Sequence, residues 1–241
     1  MKKDEAFKWD NKDFVNFYTN SANAIMLERQ RSIRIFLEII AFHFPKLSGL
    51  NILDLGCGDG VITKHIHDKS PNNNFHLIDA SEDMLNRAKE KLNNSNASFR
   101  HLTFEDYYEL EVEKSKYDLV LSANAIHHLD LINKKTLFAH IYKELKFGGL
   151  FLNIDPVQPS SDYSEEIQFE LWQNWMNERL EKNGEEVGMF DDIPYVYKNN
   201  AENKPSTLWE QPQALSQCGF KDVDCFYKYS IFSVFGGRKE R

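Results

Sequence analysis

The 241-residue chain is poor in several things, and each shortage excludes a class of protein. It has three cysteines, Cys57, Cys218 and Cys225, too few for a disulfide framework and not spaced as zinc ligands. That predicts a reduced, cytoplasmic protein without a metal site. No stretch reaches the ~18 uninterrupted apolar residues of a membrane helix, since the best candidate, Ile33 to Phe44, carries Arg34, Glu38 and His43. The opening Met1-Lys2-Lys3-Asp4-Glu5 has no apolar run behind it, which predicts no signal peptide. Positive charge is scarce too. Twenty-nine Lys and Arg stand against 37 Asp and Glu, net −8, which speaks against a large nucleic-acid-binding surface. The basic tail Gly236–Arg241 reads as a solubilising terminus. No internal repeat or long low-complexity segment is present.

What the sequence does have is alternation. Short apolar runs at Asn51–Leu55, Phe75–Asp79, Phe99–Thr103, Tyr117–Ala123 and Leu150–Asp155 read as strands buried on both faces. Between them lie helical patterns. Ser81–Asn93 opens on a good N-cap, Ser81, and Asn133–Phe147 is followed by the stop signal Gly148-Gly149. Strand–helix alternation predicts an α/β fold with a parallel sheet, and right-handed crossovers put every strand's carboxyl end on one rim. Ligands bind on that rim. Four units are expected: an N-terminal helical cap over residues 1–48, an α/β core over 49–156, a helical cap insertion over 157–203, and a C-terminal helix with edge strands over 204–241. In that last part Thr207-Leu208-Trp209-Glu210 has capping-box spacing. Val223–Tyr229 and Ser230–Gly236 read as a final hairpin-like pair. In the insertion, Trp172, Trp175 and Met176 at helical spacing read as core rather than cavity wall. Tyr195 and Tyr197 crowd the same insertion, and any of these residues that line the cavity would point to a flat or apolar substrate.

The strongest signal is Ile52-Leu53-Asp54-Leu55-Gly56-Cys57-Gly58-Asp59-Gly60 running into the helical Val61–Ile66. Glycines 56, 58 and 60 make a tight strand-to-helix turn that a ligand can approach closely, and a helix N-terminus aims N–H groups at it. Asp79 ends the next strand 23 residues after Gly56, where a carboxylate can take ribose hydroxyls. The third glycine falls one residue early for a dinucleotide site. Asp54, in an otherwise apolar strand, needs a donor partner if buried. A nucleoside cofactor carrying an ammonium, such as S-adenosyl-L-methionine, supplies one. Cys57 reads as a small packing residue, not a nucleophile.

Leu53–Gly60 resembles the first motif of the class I S-adenosylmethionine-dependent methyltransferases. Leu77-Ile78-Asp79-Ala80-Ser81-Glu82-Asp83-Met84-Leu85 resembles their second, Tyr117–Leu129 their fourth-strand segment, and Leu145–Phe151 the run into their fifth strand. The resemblance covers residues 51–155. It implies a Rossmann-like, doubly wound seven-stranded sheet, mostly parallel with an antiparallel last strand. It also implies cofactor roles. Asp54, Gly56, Cys57 and Gly58 would face the methionine part, Asp79 the ribose, Ala80 and Met84 the adenine. Thr103, Phe104 and Glu105 would line the adenine edge, and Ala123 and Asn124 would lie near the sulfonium. Thr103 departs from the Asp common in the family. Gly219–Tyr229 with Phe232–Gly236 is similar to a subgroup grouped with tRNA wobble-uridine modification enzymes, including carboxy-S-adenosylmethionine synthase. Members carry an Arg in the early helix after a Tyr. Here Tyr18–Ala24 has none, and Arg29 or Arg31 stands further along.

Methyl transfer from a sulfonium asks first for alignment out of water. A base is needed only when the acceptor must lose a proton. His127, ahead of His128, is the candidate base after the fourth strand. Asp155, on the same rim, is a candidate to orient the acceptor, and Tyr18 to close over the sulfonium. Three readings follow. The first is a methyltransferase of a small molecule, with the acceptor atom open. The second is a wobble-modification-type enzyme, which would show a basic groove or paired arginines. The third is a non-catalytic cofactor-binding protein. The oligomeric state stays open, a homodimer among the options.

Overall fold

Strands with apolar residues at consecutive positions bury both faces, and such strands form the middle of this molecule. The computed structural model describes residues 12–112 and 114–240; on the first helix, residues 12–15, 17, 18 and 20 are described by backbone alone. Two helices, α1 (Lys12–Ile25) and α2 (Arg29–His43), precede β1 (Asn51–Leu55). There follow α3 (Val61–Lys69), β2 (Asn74–Asp79), α4 (Glu82–Lys91), β3 (Ala97–His101), α5 (Phe104–Tyr108) and β4 (Tyr117–Ala123). A 3₁₀ turn (Ile126–His128), α6 (Leu131–Glu144) and β5 (Leu145–Pro156) complete the alternating part. The chain ends with α7 (Asp162–Asn183), α8 (Ile193–Asn199), α9 (Glu210–Gln217), β6 (Lys221–Tyr229) and β7 (Phe232–Arg238).

The seven strands form one sheet in the order β3-β2-β1-β4-β5-β7-β6. Pairs among β1 to β5 are parallel, and β7 runs antiparallel to both β5 and β6. The last strand is therefore the antiparallel one, but it sits inside the sheet, and β6 takes the edge. The chain order reverses between β1 and β4, so their carboxyl ends frame the crevice where such sheets bind ligands.

Each sheet face carries its own core. Phe36 and Ile40 of α2, Ile62 and Ile66 of α3, and Leu85 and Ala88 of α4 cover one face. Leu137, Phe138 and Ile141 of α6, with Ala214 and Leu215 of α9, cover the other. A third cluster joins Ala22, Ile25, Met26 and Leu27 to Phe169, Trp172 and Met176 of α7 and to Phe232. The Trp172 indole N–H donates to the Ile25 carbonyl at 2.6 Å. The insertion thus braces the N-terminal helices, and Trp172 and Met176 are core, as their spacing predicts.

Several boundaries differ from the sequence reading, those at Gly148 and Thr103 most instructively. Gly148-Gly149 does not stop α6, which ends at Glu144 with β5 beginning at Leu145. Gly148, at φ 80°, instead lies where the β4–β5 register shifts, between Tyr117 and Leu119. A bulge of this kind is a usual place for glycine in a strand. β3 is Ala97–His101, two residues earlier than Phe99–Thr103. Thr103 instead caps α5: its hydroxyl accepts from Asp106 N–H, and the Asp106 carboxylate accepts from Thr103 N–H. Among the described residues no helix is long and apolar enough to cross a membrane.

Candidate active site

The crevice begins at the turn after β1. Gly56 has φ 65°, and a Cβ there would lie 2.3 Å from the Ala125 Cβ. Only glycine lets this loop press against the segment leaving β4. Gly58, at φ 54°, has nothing within 4 Å of its Cβ position. Its N–H donates to Asp79 Oδ2 at 2.7 Å, while Ser81 N–H donates to Oδ1 at 2.8 Å. These bonds fix the Asp79 carboxylate at the end of β2. Burial raises its pKa, against the lowering by those backbone bonds.

Asp54 is 2% exposed. The Thr63 hydroxyl donates to its Oδ2 at 2.6 Å. Burial pushes the carboxyl up to about 7; Asp79 and Asp59 add to the rise and the Thr63 bond opposes it. The site places a buried carboxylate beside a ligand cradle, among other carboxylates. A bound cation would satisfy it.

One cavity joins these groups. Asp54, Gly56, Cys57, Gly58 and Asp59 line it at the loop, and Asp79, Ala80, Met84, Leu102 and Phe104 beside the ends of β2 and β3. Ala123, Asn124, Ala125, His128 and Ile154 line it at the carboxyl ends of β4 and β5. The N-terminal segment closes it with Thr19, Ala22, Met26, Leu27, Arg29, Ser32 and Ile33, and β7 adds Phe232. Thr103 and Glu105 lie outside this lining and are exposed. Trp172, Trp175, Tyr195 and Tyr197 are outside it as well, so the expectation of a flat or apolar substrate has no support from them. Tyr18 lies on α1, and its side chain is outside the described residues.

The structure brings His127 and Asp155 together behind the cavity. Asp155 is fully buried, His127 is 6% exposed, and the His127 Nδ1–H donates to Asp155 Oδ1 at 2.7 Å. The cavity wall is His128, whose ring lies 4.2 Å from that of His127. Its Nδ1–H donates to the Glu202 carbonyl at 3.2 Å. Burial, then the neighbouring His127, brings its pKa down to about 3. Cys57 is buried, and burial with Asp54, Asp79 and Asp59 holds its thiol well above the usual range. Ser32 was missed by sequence reasoning. It is 2% exposed, and its Oγ is without a hydrogen-bond partner. With Arg29 it lies one helical turn apart on the cavity face of α2, a spacing that helical periodicity could have revealed.

The residues present fit S-adenosylmethionine: Asp54 suits an ammonium, Asp79 a ribose diol, and Arg29 with Ser32 a carboxylate. A family model described as a methyltransferase domain matches residues 52–149. Among curated relatives, malonyl-[acyl-carrier protein] O-methyltransferase 2 of Ilyobacter polytropus is 37% identical over 123 residues, 50% of this chain and 42% of that protein. The chain thus spans less than half the length of this relative. Carboxy-S-adenosyl-L-methionine synthase of Campylobacter hominis is 26% identical over 247 residues, 98% of this chain and 100% of that protein. The solved structure of the CurJ carbon methyltransferase superposes with TM-score 0.64 at 18% identity, covering 100% of this chain and 62% of that one. The fold is that of the class I methyltransferases. Residues 52–149 are what the methyltransferase-domain model matches.

Proposed function

We propose that the chain is an S-adenosylmethionine-dependent methyltransferase that transfers a methyl group to a small-molecule acceptor by in-line displacement. The observation that carries this is Asp54, a buried carboxylate beside the glycine turn with carboxylates and a hydroxyl for neighbours. When bound, the cofactor supplies a methyl group already activated on a sulfonium. Asp54 takes its ammonium, Arg29 and Ser32 its carboxylate, and Asp79 its ribose hydroxyls. Met84, Leu102 and Phe104 flank the base. Met26, Leu27, Ile154 and Phe232 keep water from the reacting end. Ala123 and Asn124 lie beside that end, and Asn124 N–H is anchored on the Ile154 carbonyl at 2.7 Å. His128 faces the acceptor as a neutral imidazole, able to exchange a hydrogen bond but too weak a base to hold a proton at neutral pH. His127 and Asp155 support it from behind.

A second reading, carboxy-S-adenosylmethionine synthesis, is favoured by the end-to-end match to the Campylobacter hominis relative. It asks for a cation beside an extra carboxylate. Arg29 is the one arginine or lysine lining the cavity among the described residues. If it serves the methionine carboxylate, it is not available for the second.

Calorimetric titration with S-adenosylmethionine and S-adenosylhomocysteine tests the proposal, with Asp79→Ala as control. Roughly micromolar binding that the variant loses is expected. Absence of binding to either ligand removes the methyltransferase reading. Mass spectrometry of ligand released from freshly purified protein separates the two reactions, because a carboxylated cofactor is heavier than S-adenosylmethionine.

A further inference from the structure

Lysine is almost never fully buried unless paired, yet Lys134 on α6 is 0% exposed. Its ammonium donates to the Lys204 carbonyl at 2.7 Å and to the Ser206 hydroxyl at 2.9 Å. Both belong to the 200–206 segment that follows α8. That segment crosses the carboxyl ends of β4 and β5 and bonds to the two histidines in turn. Lys204 N–H donates to the His127 carbonyl at 2.7 Å, and the Glu202 carbonyl receives His128 Nδ1–H at 3.2 Å. Its far end is held by Gln158 N–H on the Ser206 carbonyl at 3.0 Å. Lys134 thus grips the strap at two points, next to where the strap meets the histidine pair.

We propose that Lys134, by pinning the 200–206 strap, is a positioning residue that fixes the tautomer and orientation of His128 in the cofactor cavity. This rests on the reading of His128 as the acceptor-side wall. The chemistry is direct. A carbonyl oxygen only accepts, so the strap demands the proton on Nδ1. Histidine free in water favours the opposite tautomer, so the strap must be held in place to impose this one. The buried ammonium also adds positive charge near an imidazole that burial already keeps neutral. An apolar side chain would fill the same space but supply neither the two bonds nor the charge.

The test is proton–nitrogen correlation spectroscopy of the full chain with ¹⁵N-labelled histidine, across about pH 5 to 8. It needs no ligand and no acceptor. In the wild type His128 is expected in the Nδ1–H form without titrating in that range. In Lys134→Met the Nε2–H form should predominate. S-adenosylhomocysteine affinity should stay within about twofold, because Lys134 is outside the cofactor cavity. Ser206→Ala keeps the charge and removes one anchor; a mixture of tautomers is expected. If Lys134→Met does not fold, Ser206→Ala decides alone. His128 remaining wholly Nδ1–H in the folded variants overturns the proposal. Failure of the wild type to bind cofactor would instead strike the proposed function and leave this readout intact.

Discussion

Cofactor affinity should fall steeply on acidification, because the proposed contact of the S-adenosylmethionine ammonium with Asp54 needs that carboxylate ionised. Burial holds the free carboxyl at about 7, against an ordinary 3.8. For a ligand that binds only the ionised form, the apparent dissociation constant is multiplied by 1 + 10^(pKa − pH). That factor is about 2 at pH 7 and about 30 at pH 5.5, so binding weakens about 15-fold between them. On the alkaline side the ligand's own α-amino group, with an ordinary pKa of about 7.7–8.0, begins to lose its charge. The affinity maximum should therefore lie between about pH 7 and 8. At pH 7 binding should release about half a proton from Asp54. Calorimetry in two buffers of different ionisation enthalpy measures that proton directly. Asp54→Asn should bind more weakly and lose the acid limb. A dissociation constant that is flat from about pH 7 down to 5.5, or an equal slope in Asp54→Asn, would refute the reasoning.

The same carboxyl has a consequence for stability. Its folded pKa lies above the unfolded one, so its stabilising contribution is complete below about pH 3.8 and lost as pH rises through about 7. Above that the free protein bears a penalty of about 4 kcal/mol, from roughly three pKa units at about 1.4 kcal/mol each. Asp54→Asn should raise the stability of the free protein at about pH 8 by about 2–4 kcal/mol, read from urea unfolding. The wild type should recover the difference when S-adenosylhomocysteine is added, and the variant should not.

Other perturbations separate the parts of the site. Gly56→Ala puts a methyl group against Ala125 at a backbone angle that disfavours it; denaturant unfolding should show a loss of about 2–4 kcal/mol, and calorimetry no cofactor binding. Arg29→Gln should weaken S-adenosylmethionine by about tenfold or more, as loss of a charge-assisted hydrogen bond does, while a decarboxylated analogue changes less than about twofold. Equal losses for both ligands would remove the carboxylate from Arg29. Cys57 should resist iodoacetamide in the native protein at about pH 8, because burial and three nearby carboxylates keep the thiol protonated. Mass mapping that finds Cys57 alkylated as fast as Cys218 would contradict that.

The parts of this protein that show in its sequence are those where one residue type has one physical use. β1 and β4 coincide with their apolar runs, because central parallel strands bury both faces. Ser81 caps α4 as its hydroxyl suggests. Legibility fails where two uses compete. Thr103 reads as a strand residue by β-branching, but Asp106 three positions later draws it into a capping box. Gly148-Gly149 reads as a helix stop, but the same freedom serves a bulge.

The histidines are the sharpest case. His127 and His128 are chemically alike and adjacent, and the sequence ranks His127 first for standing next to the strand. The 3₁₀ turn over Ile126–His128 has about three residues per turn, so successive side chains point about 120° apart. That rotation sends His127 inward to Asp155 and leaves His128 on the cavity wall. No periodicity read from sequence resolves a single turn of that kind. The partner that decides each ring's proton, Asp155 for one and the Glu202 carbonyl for the other, lies 28 and 74 residues away. The glycine turn, Asp54 and Asp79 are close in sequence and could be read as a motif, whereas Arg29 and Ser32 come from α2. The histidine wall is assembled from the segments after β4, β5 and α8, and its hydrogen bonds exist only once those segments meet.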